Sequence, residues 1–408
     1  MALMKKPVTG MKDILPEEMA IRNYCIQVIR ETYAGFGFSS IETPAVEHIE
    51  NLLSKQGGEN EKLIFKILKR GEKLDLSHAT TEDAVTDSGL RYDLTLPLSR
   101  YYSAHANELP SPFKALQIGN VFRADRPQRG RFRQFTQCDI DILGDAGYLS
   151  EIDLILATTT VLQKLSFHGF TIRINDRRLL REKAKRAGFL EEDFEKVFIT
   201  LDKMDKIGMD GVKSELLLNY PKETVDAYLD GFAGRGGELS EEDIALMKEV
   251  GSPLPEIIST VDEVKTADFR VLYDPTLVRG MGYSTGPIFE IAMDEYGGSV
   301  GGGGRYDEMI GKFTGQATPA VGFSIGFERI IMLLLEKGFK IPGSAGKTAF
   351  LVDKRMDAGK LGGIYREAMK LRANGSVVDI SQMKKNKKFQ KDQLAELGYT
   401  EIREFFAD

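Results

Sequence analysis

Hydrophobic positions recur along this chain with two periods, and the switches between them mark out its elements. Across residues 20–33 they fall at Ile21, Tyr24, Cys25, Val28 and Ile29, which is helical spacing. GFGFSSIETPAVE then reads as a turn and a strand stopped by Pro44. Residues 90–94 and 115–122 read as strands, and 96–102 as a helix opened by Pro97. In FTQCDIDILG the period is two: Cys138, Ile140 and Ile142 oppose Gln137, Asp139 and Asp141. That pattern predicts a strand with carboxylates on one face.

The period changes again at residues 178–263, a stretch of helical hairpins dense in Lys and Glu and broken at Pro221 and at 234–237. Strand patterns return in RVLYDP, in GPIFEIAMD and in GFSIGFERIIMLLLEKG, where a strand runs into a helix. A linker composition follows at 343–347, and TAFLVD, SVVDIS and EIREFF alternate with two helical stretches. The predicted division is a core over 1–172, a helical insertion over 173–264, the rest of the core over 265–342, and a small α/β domain over 343–408. A length of 408 residues fits two or three domains.

Charge adds a question to this outline. The chain holds 55 Lys+Arg against 61 Asp+Glu, yet VFRADRPQRGRFRQF gathers Arg123, Arg126, Arg129, Arg131 and Arg133 within eleven positions. A tether for nucleic acid at large would shift the charge of its whole domain, so a local site for a compact polyanion fits better. Between Thr348 and Asp408 twelve basic residues face nine acidic ones, an excess of three that hints at an anionic partner for the tail. The N-terminus has no apolar stretch of signal-peptide length, and the aliphatic block 330–335 is far short of the ~20 residues that span a bilayer. Cys25 and Cys138 make no disulfide framework, and with four scattered histidines they make no zinc set. A cytoplasmic protein without a membrane segment is expected.

The arginine block carries Pro127 and Gly130 between two strand patterns, so it reads as a hairpin loop with Arg123 at a strand end. Guanidinium groups on one loop can grip a triphosphate in bidentate fashion. The plainer reading is a solvated basic hairpin. RYDLTLPLSRYY is expected to place Asp93 and Thr95 on one side of a strand, as QCDID places its polar residues. Such carboxylates could hold an ammonium or imidazole group and Mg²⁺. LVRGMGYSTGPIFE and GGSVGGGGRYDEM each join glycines to an arginine and a tyrosine. The run Gly301 to Gly304 reads either as close approach to a ligand or as a strand bulge. In GFSIGFERI, Arg329 falls on the first turn of a helix.

In this order the blocks resemble the class II aminoacyl-tRNA synthetases, and within them the histidyl-tRNA synthetase family. FSSIETPAVE, VFRADRPQRGRFRQFTQ and GFSIGFERI are similar to the three class motifs, and LVRGMGYSTG and GGGGRYD to the two histidine signatures. RYDLT and INDRRLL resemble the branch that includes the eukaryotic enzymes. The likeness is close from Pro7 to about Leu335 and looser in the tail.

The resemblance implies an α+β fold: the class II antiparallel sheet flanked by helices, a helical insert, and a small, shortened C-terminal α/β domain of the anticodon-binding kind. It implies a homodimer that activates histidine with ATP and Mg²⁺ and transfers it to tRNA. Arg123 matches the arginine at the α-phosphate, Arg131 one at the distal phosphates, and Arg329 the arginine of the third motif at the γ-phosphate. Arg279 matches the family's own catalytic arginine. Asp93, Thr95 and Gln137 match positions at the α-amino group, and Asp141, Tyr283 and Tyr306 the imidazole pocket. The family's RGLDYYTG stands here as RGMGYSTG, with Gly282 for Asp and Ser284 for a tyrosine facing the imidazole. Two other readings stay open at this point. One is a non-catalytic relative acting as regulatory subunit of ATP phosphoribosyltransferase, and the other a ligase with a different amino acid or acceptor. Asp139 is expected at the solvent side or in strand pairing, and Cys138 in the core.

Overall fold

The computed structural model describes residues 3–56, 58–232, 237, 239–266, 268–278, 284–343 and 346–407. The chain divides into two compact units, Met1–Gly338 and Phe339–Asp408. The strands of the first are β1 (Ser39–Ser40), β2 (Val46–His48), β3 (Lys66–Leu68), β4 (Thr86–Leu90), β5 (Phe113–Phe122), β6 (Gln134–Leu143), β7 (Phe170–Asp176), β8 (Phe269–Tyr273), β9 (Pro287–Met293), β10 (Gly298–Arg305) and β11 (Ala320–Ile325). Eight of them form one sheet in the order β1-β5-β6-β11-β10-β9-β7-β8. Its inner pairs are antiparallel, while the pairs β1–β5 and β7–β8 at its margins are parallel. A second, small sheet has the order β2-β4-β3.

Each face of the large sheet follows from the period-two patterns. Cys138, Ile140 and Ile142 are buried on one face with Phe323, Ile325, Phe289 and Ile291. The helices Pro16–Gly35, Leu149–Lys164 and Phe327–Glu336 supply buried aliphatic side chains such as Ile29, Leu154 and Ile331 to the core. The first of these opens with Pro16 and two glutamates in its first turn, both favourable at a helix N-terminus. Polar residues of β6 take the other face.

β10 contains the glycine run, and the structure supports both a bulge and tight packing there. The register against β9 shifts between Ser299 and Gly301. A Cβ at Gly303 would lie 1.9 Å from the carbonyl oxygen of Gly322, so only glycine lets β10 and β11 approach this closely.

The helices inserted after β7 run from Arg177 to Val264 and pack around their own apolar cluster, which includes Phe189, Phe198, Leu216 and Tyr228. Asp176 caps the first of them by accepting from the Arg178 backbone N–H, and Gly188 closes it at φ 98°. In the second unit, β12 (Lys347–Val352) lies between β13 (Val377–Gln382) and β14 (Tyr399–Phe405), all parallel. Helices Ala358–Ala373 and Lys387–Glu396 make the crossovers. Among the described residues no helix is long and apolar enough to cross a membrane.

One element differs from the sequence-based expectation. Residues 91–94 are not a strand, and Asp93 and Thr95 do not share a strand face: β4 ends at Leu90 and the helix Thr95–His105 begins five positions later. The Asp93 carboxylate accepts from the Leu96 backbone N–H at 3.1 Å. One local side-chain hydrogen bond outweighs the short alternation of Leu90, Tyr92 and Leu94, because it satisfies a donor that the helix start leaves orphaned.

Candidate active site

Strand β6 sets the floor of the site. In an antiparallel ladder, residues directly opposite share a face. Gln137 lies opposite Gly119, Asp139 opposite Gln117 and Ser324, and Asp141 opposite Ala115 and Gly322. Small partners leave room for the β6 side chains. A Cβ at Gly322 would sit 2.0 Å from Asp141 Oδ1, and one at Gly119 would sit 2.4 Å from an Arg91 nitrogen.

Asp141 is 3% exposed and its Oδ1 accepts from the Tyr306 hydroxyl at 2.5 Å. The structure thus brings together two residues that lie 165 positions apart in sequence. Asp93 is equally buried, at 2%. Thr95 is half-buried at the first position of its helix. Gln137 Oε1 is buried and, among the described residues, has no hydrogen-bond partner. A buried acceptor left unpaired costs about 1–3 kcal/mol, so this atom calls for a donor from a ligand.

Asp139 is 4% exposed, which excludes the solvent side, and it pairs across strands with the Ser324 hydroxyl at 2.5 Å. Burial first, and then the charges of Asp141 and Asp93, push its carboxyl well above the usual range; the Ser324 hydrogen bond and Arg123 oppose them. Cys138 lies in the core, and burial pushes its thiol up as well.

The hairpin arginines fall into different roles. Arg123 is sandwiched, its guanidinium 4.2 Å from the Tyr92 ring centre and 5.1 Å from that of Phe135, with Nε donating to the Tyr92 carbonyl at 3.0 Å. Among the described residues no carboxylate forms an ion pair with it. Arg131 is exposed and only 4.0 Å from Asp125. Arg129 is tied to Glu336 at 2.5 Å, and Arg133 donates to the carbonyls of Asp125 and Thr9. Arg329 stands on the first helical turn, as its pattern predicted, donates to the Ser299 carbonyl and lies 5.3 Å from the Tyr296 ring centre. The hairpin tip reaches it: a Cβ built on Gly130, at φ 68°, would lie 3.2 Å from the Tyr296 hydroxyl and 3.7 Å from Arg329 Cγ.

Arg279, Gly282 and Tyr283 lie outside the described residues. The segments on either side of them are anchored beside the site. Asn175 Nδ2 donates to the carbonyls of Pro275 and Leu277, at 3.1 and 2.9 Å. Thr285 N–H donates to the Arg305 carbonyl at 2.9 Å, next to half-buried Ser284.

Several contributors escaped the sequence patterns. Tyr92 stacks on Arg123, and its place beside Asp93 in RYDLT was the available signal. Arg91 donates to the carbonyls of Asn120 and Thr43, tying the segment before Pro44 to β5. Gln117 bonds Thr43 and Leu94 at 3.2 and 3.1 Å. No periodicity distinguishes it from an ordinary strand residue.

Comparison with known proteins gives concordant results. The sequence profile of the family described as histidyl-tRNA synthetase matches residues 10–330. A histidine–tRNA ligase of Leifsonia xyli subsp. xyli is 42% identical over 417 residues, covering 97% of this chain and 95% of that protein. A probable histidine–tRNA ligase of Tropheryma whipplei is 42% identical over 371 residues, covering 86% of this chain and 84% of its own. The crystal structure of histidyl-tRNA synthetase from Nostoc sp. PCC 7120 superposes with a TM-score of 0.77 at 27% identity, over 97% of this chain and 90% of that one.

Proposed function

The chain belongs to the histidyl-tRNA synthetase family, and from that premise we propose how its residues perform histidine–tRNA ligation. Histidine is activated with ATP to an aminoacyl-adenylate, pyrophosphate leaves, and the histidyl group passes to tRNA. The step is in-line attack of a carboxylate on the α-phosphorus. It demands positioning, and positive charge where negative charge accumulates, more than a general base.

One observation carries the residue assignment: a buried Gln137 Oε1, without a hydrogen-bond partner among the described residues, stands on the same face of β6 as buried Asp141. Gln137 Oε1 accepts from the α-ammonium group, with Asp93 and Thr95 beside it. Asp141, oriented by Tyr306, takes the imidazole N–H, and Tyr283 and Ser284 complete that pocket. Arg123, held by two rings, meets the α-phosphate and the attacking carboxylate. Arg131 and Arg329 meet the distal phosphates, and Arg279 stabilises the transition state at the α-phosphorus.

Mg²⁺ enters with ATP as part of the substrate. A magnesium ion needs only one or two carboxylates besides phosphate oxygens and water.

ATP–pyrophosphate exchange measured across the twenty amino acids tests the reading. Histidine should support exchange, and exchange supported by another amino acid alone would overturn the assignment of the pocket. Ser284 sharpens the test, since it ends several ångströms short of where a tyrosine hydroxyl would stand. Ser284→Tyr should tighten histidine binding; a variant that blocks activation would mean the pocket was enlarged for a bulkier ring.

The partners are a second copy of the chain and tRNA, in the cytoplasm. β1 covers only Ala115 and Leu116 at the outer edge of β5, beside the segment that resembles the class interface motif. Light scattering at micromolar concentration should give a dimer. Lys384, Lys385, Lys387 and Lys388, all exposed around the start of helix Lys387–Glu396, offer the tail a phosphate-facing surface.

A further inference from the structure

One buried ion pair lies behind both halves of the site. Arg22, on the helix Pro16–Gly35, is 7% exposed. Its Nη1 donates to Glu328 Oε2 at 2.6 Å and its Nη2 to Glu328 Oε1 at 2.9 Å. Nη2 also donates to Thr136 Oγ1 at 2.9 Å, and Glu328 Oε1 accepts from the Thr136 backbone N–H at 3.0 Å. Thr136 Oγ1 in turn donates to Asn120 Oδ1 at 3.1 Å, on β5. The guanidinium lies 4.9 Å from the Phe327 ring centre. Glu328 directly precedes Arg329, and Thr136 directly precedes Gln137. A two-pronged guanidinium–carboxylate contact fixes distance and orientation together.

The two elements it joins are not equally secured. β6 is held by ten residue pairs to β5 and six to β11. The helix Phe327–Glu336 starts without a side-chain cap, at Gly326, whose N–H donates to the Val300 carbonyl at 2.7 Å. If the fork is lost, the helix turn is the part that shifts.

We propose that the Arg22–Glu328 fork is a positioning element that sets Arg329 against strand β6, so that the nucleotide-facing and amino-acid-facing groups meet the two substrates in register. The roles of Arg329 and Gln137 are those of the ligase reading above, on which this inference rests. Arg22 touches neither substrate and acts only through Glu328 and Thr136.

The test uses full-length Arg22→Met, Arg22→Lys, isosteric Glu328→Gln and the double variant Arg22→Met/Glu328→Gln. ATP and histidine affinities are measured by calorimetry, exchange kinetics are normalised to titrated active sites, and melting temperatures are recorded. A misplacement near 1 Å can cost about 10²-fold. The expected result is therefore an ATP Kd and KM weakened by ~10–100-fold in Arg22→Met and Glu328→Gln, with histidine affinity nearly unchanged. The double variant should be no worse than the more damaged single one, since both remove the same contact. Arg22→Lys, which keeps the charge but not the fork, should fall between wild type and Arg22→Met.

A lowered melting temperature with unchanged ATP affinity per active site would reduce the pair to a structural clamp and overturn the proposal. Equal losses for ATP and histidine would overturn it too. Failure of the ligase reading shows separately, as wild-type protein that binds ATP but gives no histidine-dependent exchange; the ATP affinity series still decides the fork.

Discussion

The inserted helices and the β5–β6 hairpin are both rich in arginine, and Arg123 of the hairpin is held in the opposite way to the arginines of the insert. Around the insert the guanidinium groups close on carboxylates of the same chain. Arg177 meets Glu195 at 2.6 Å, Arg178 meets Asp176 at 2.6 Å, and Arg186 binds both Glu182 and Glu249. Arg173 is shared among Asp205, Asp274 and Glu290. In the hairpin Arg123 is gripped instead by two aromatic rings and a carbonyl. A π face orients a guanidinium without neutralising it, whereas a carboxylate does both. The first kind of arginine is consumed by the fold; the second keeps its charge for a ligand. The carboxylates divide likewise. Glu151 is locked by Arg305 at 2.6 Å, while the Asp141 carboxyl receives a hydrogen bond from the Tyr306 hydroxyl.

This contrast can be broken experimentally, most sharply at Arg123. Removing one preorganised charge at the transition state costs ~10²–10³ in rate. Arg123→Ala should lower ATP–pyrophosphate exchange by that factor and lower the thermal melt only by what two ring contacts and one carbonyl hydrogen bond contribute, since no ion pair is lost. A variant that melts early and retains its rate per folded molecule would place Arg123 among the structural arginines.

Tyr306→Phe comes next. A hydrogen bond to a charged group is worth ~1.5–3 kcal/mol. Histidine affinity should fall by about 10–100-fold, with ATP affinity held, as read by calorimetry. Equal histidine affinity in the variant would mean that Asp141 needs no orienting partner.

The reverse case is Arg177→Met. Arg177 is buried over the Phe198 ring, 4.4 Å from its centre, and bonds both oxygens of Glu195. Unfolding measurements should show a loss of ~1–3 kcal/mol. Exchange per active site should stay at the wild-type value, and a specific loss of rate would show that the insert's ion pairs reach the chemistry.

Smallest in its effect on rate is Asp139→Asn, whose signature is a pH profile. Below the ordinary value of 3.8 the carboxyl is protonated in both folded and unfolded chains. As pH rises past that value the unfolded chain ionises while the folded one holds its proton. The unfolded state then binds fewer protons, so this residue's contribution to stability declines until the raised folded value is reached. The asparagine variant should show a shallower fall of melting temperature with pH above 3.8. An unchanged slope would mean that Asp139 ionises in the fold as it does in water.

How much of this was legible beforehand varies with the range of the interaction. The alternation in QCDIDI predicted both faces of β6, because side-chain direction in a strand is a local property. Motif order was legible for the same reason and led to the family. Asp93 was misplaced by a strand pattern only a few residues long, too short to outweigh one capping hydrogen bond to Leu96. The spacing of the hairpin arginines gave no sign that Arg129 would be tied to Glu336, 207 positions away.

The chain's own order of residues therefore determined most of the elements, the family and the stock of charged groups, since propensity, period and motif act over a few neighbours. Tertiary structure alone decided which charges are cancelled and which are kept. Arg22 and Glu328 are 306 residues apart, and Asp141 and Tyr306 are 165 apart. No local pattern encodes such a pairing. It exists only once the sheet closes in its register and burial strips away the water that would otherwise satisfy each group.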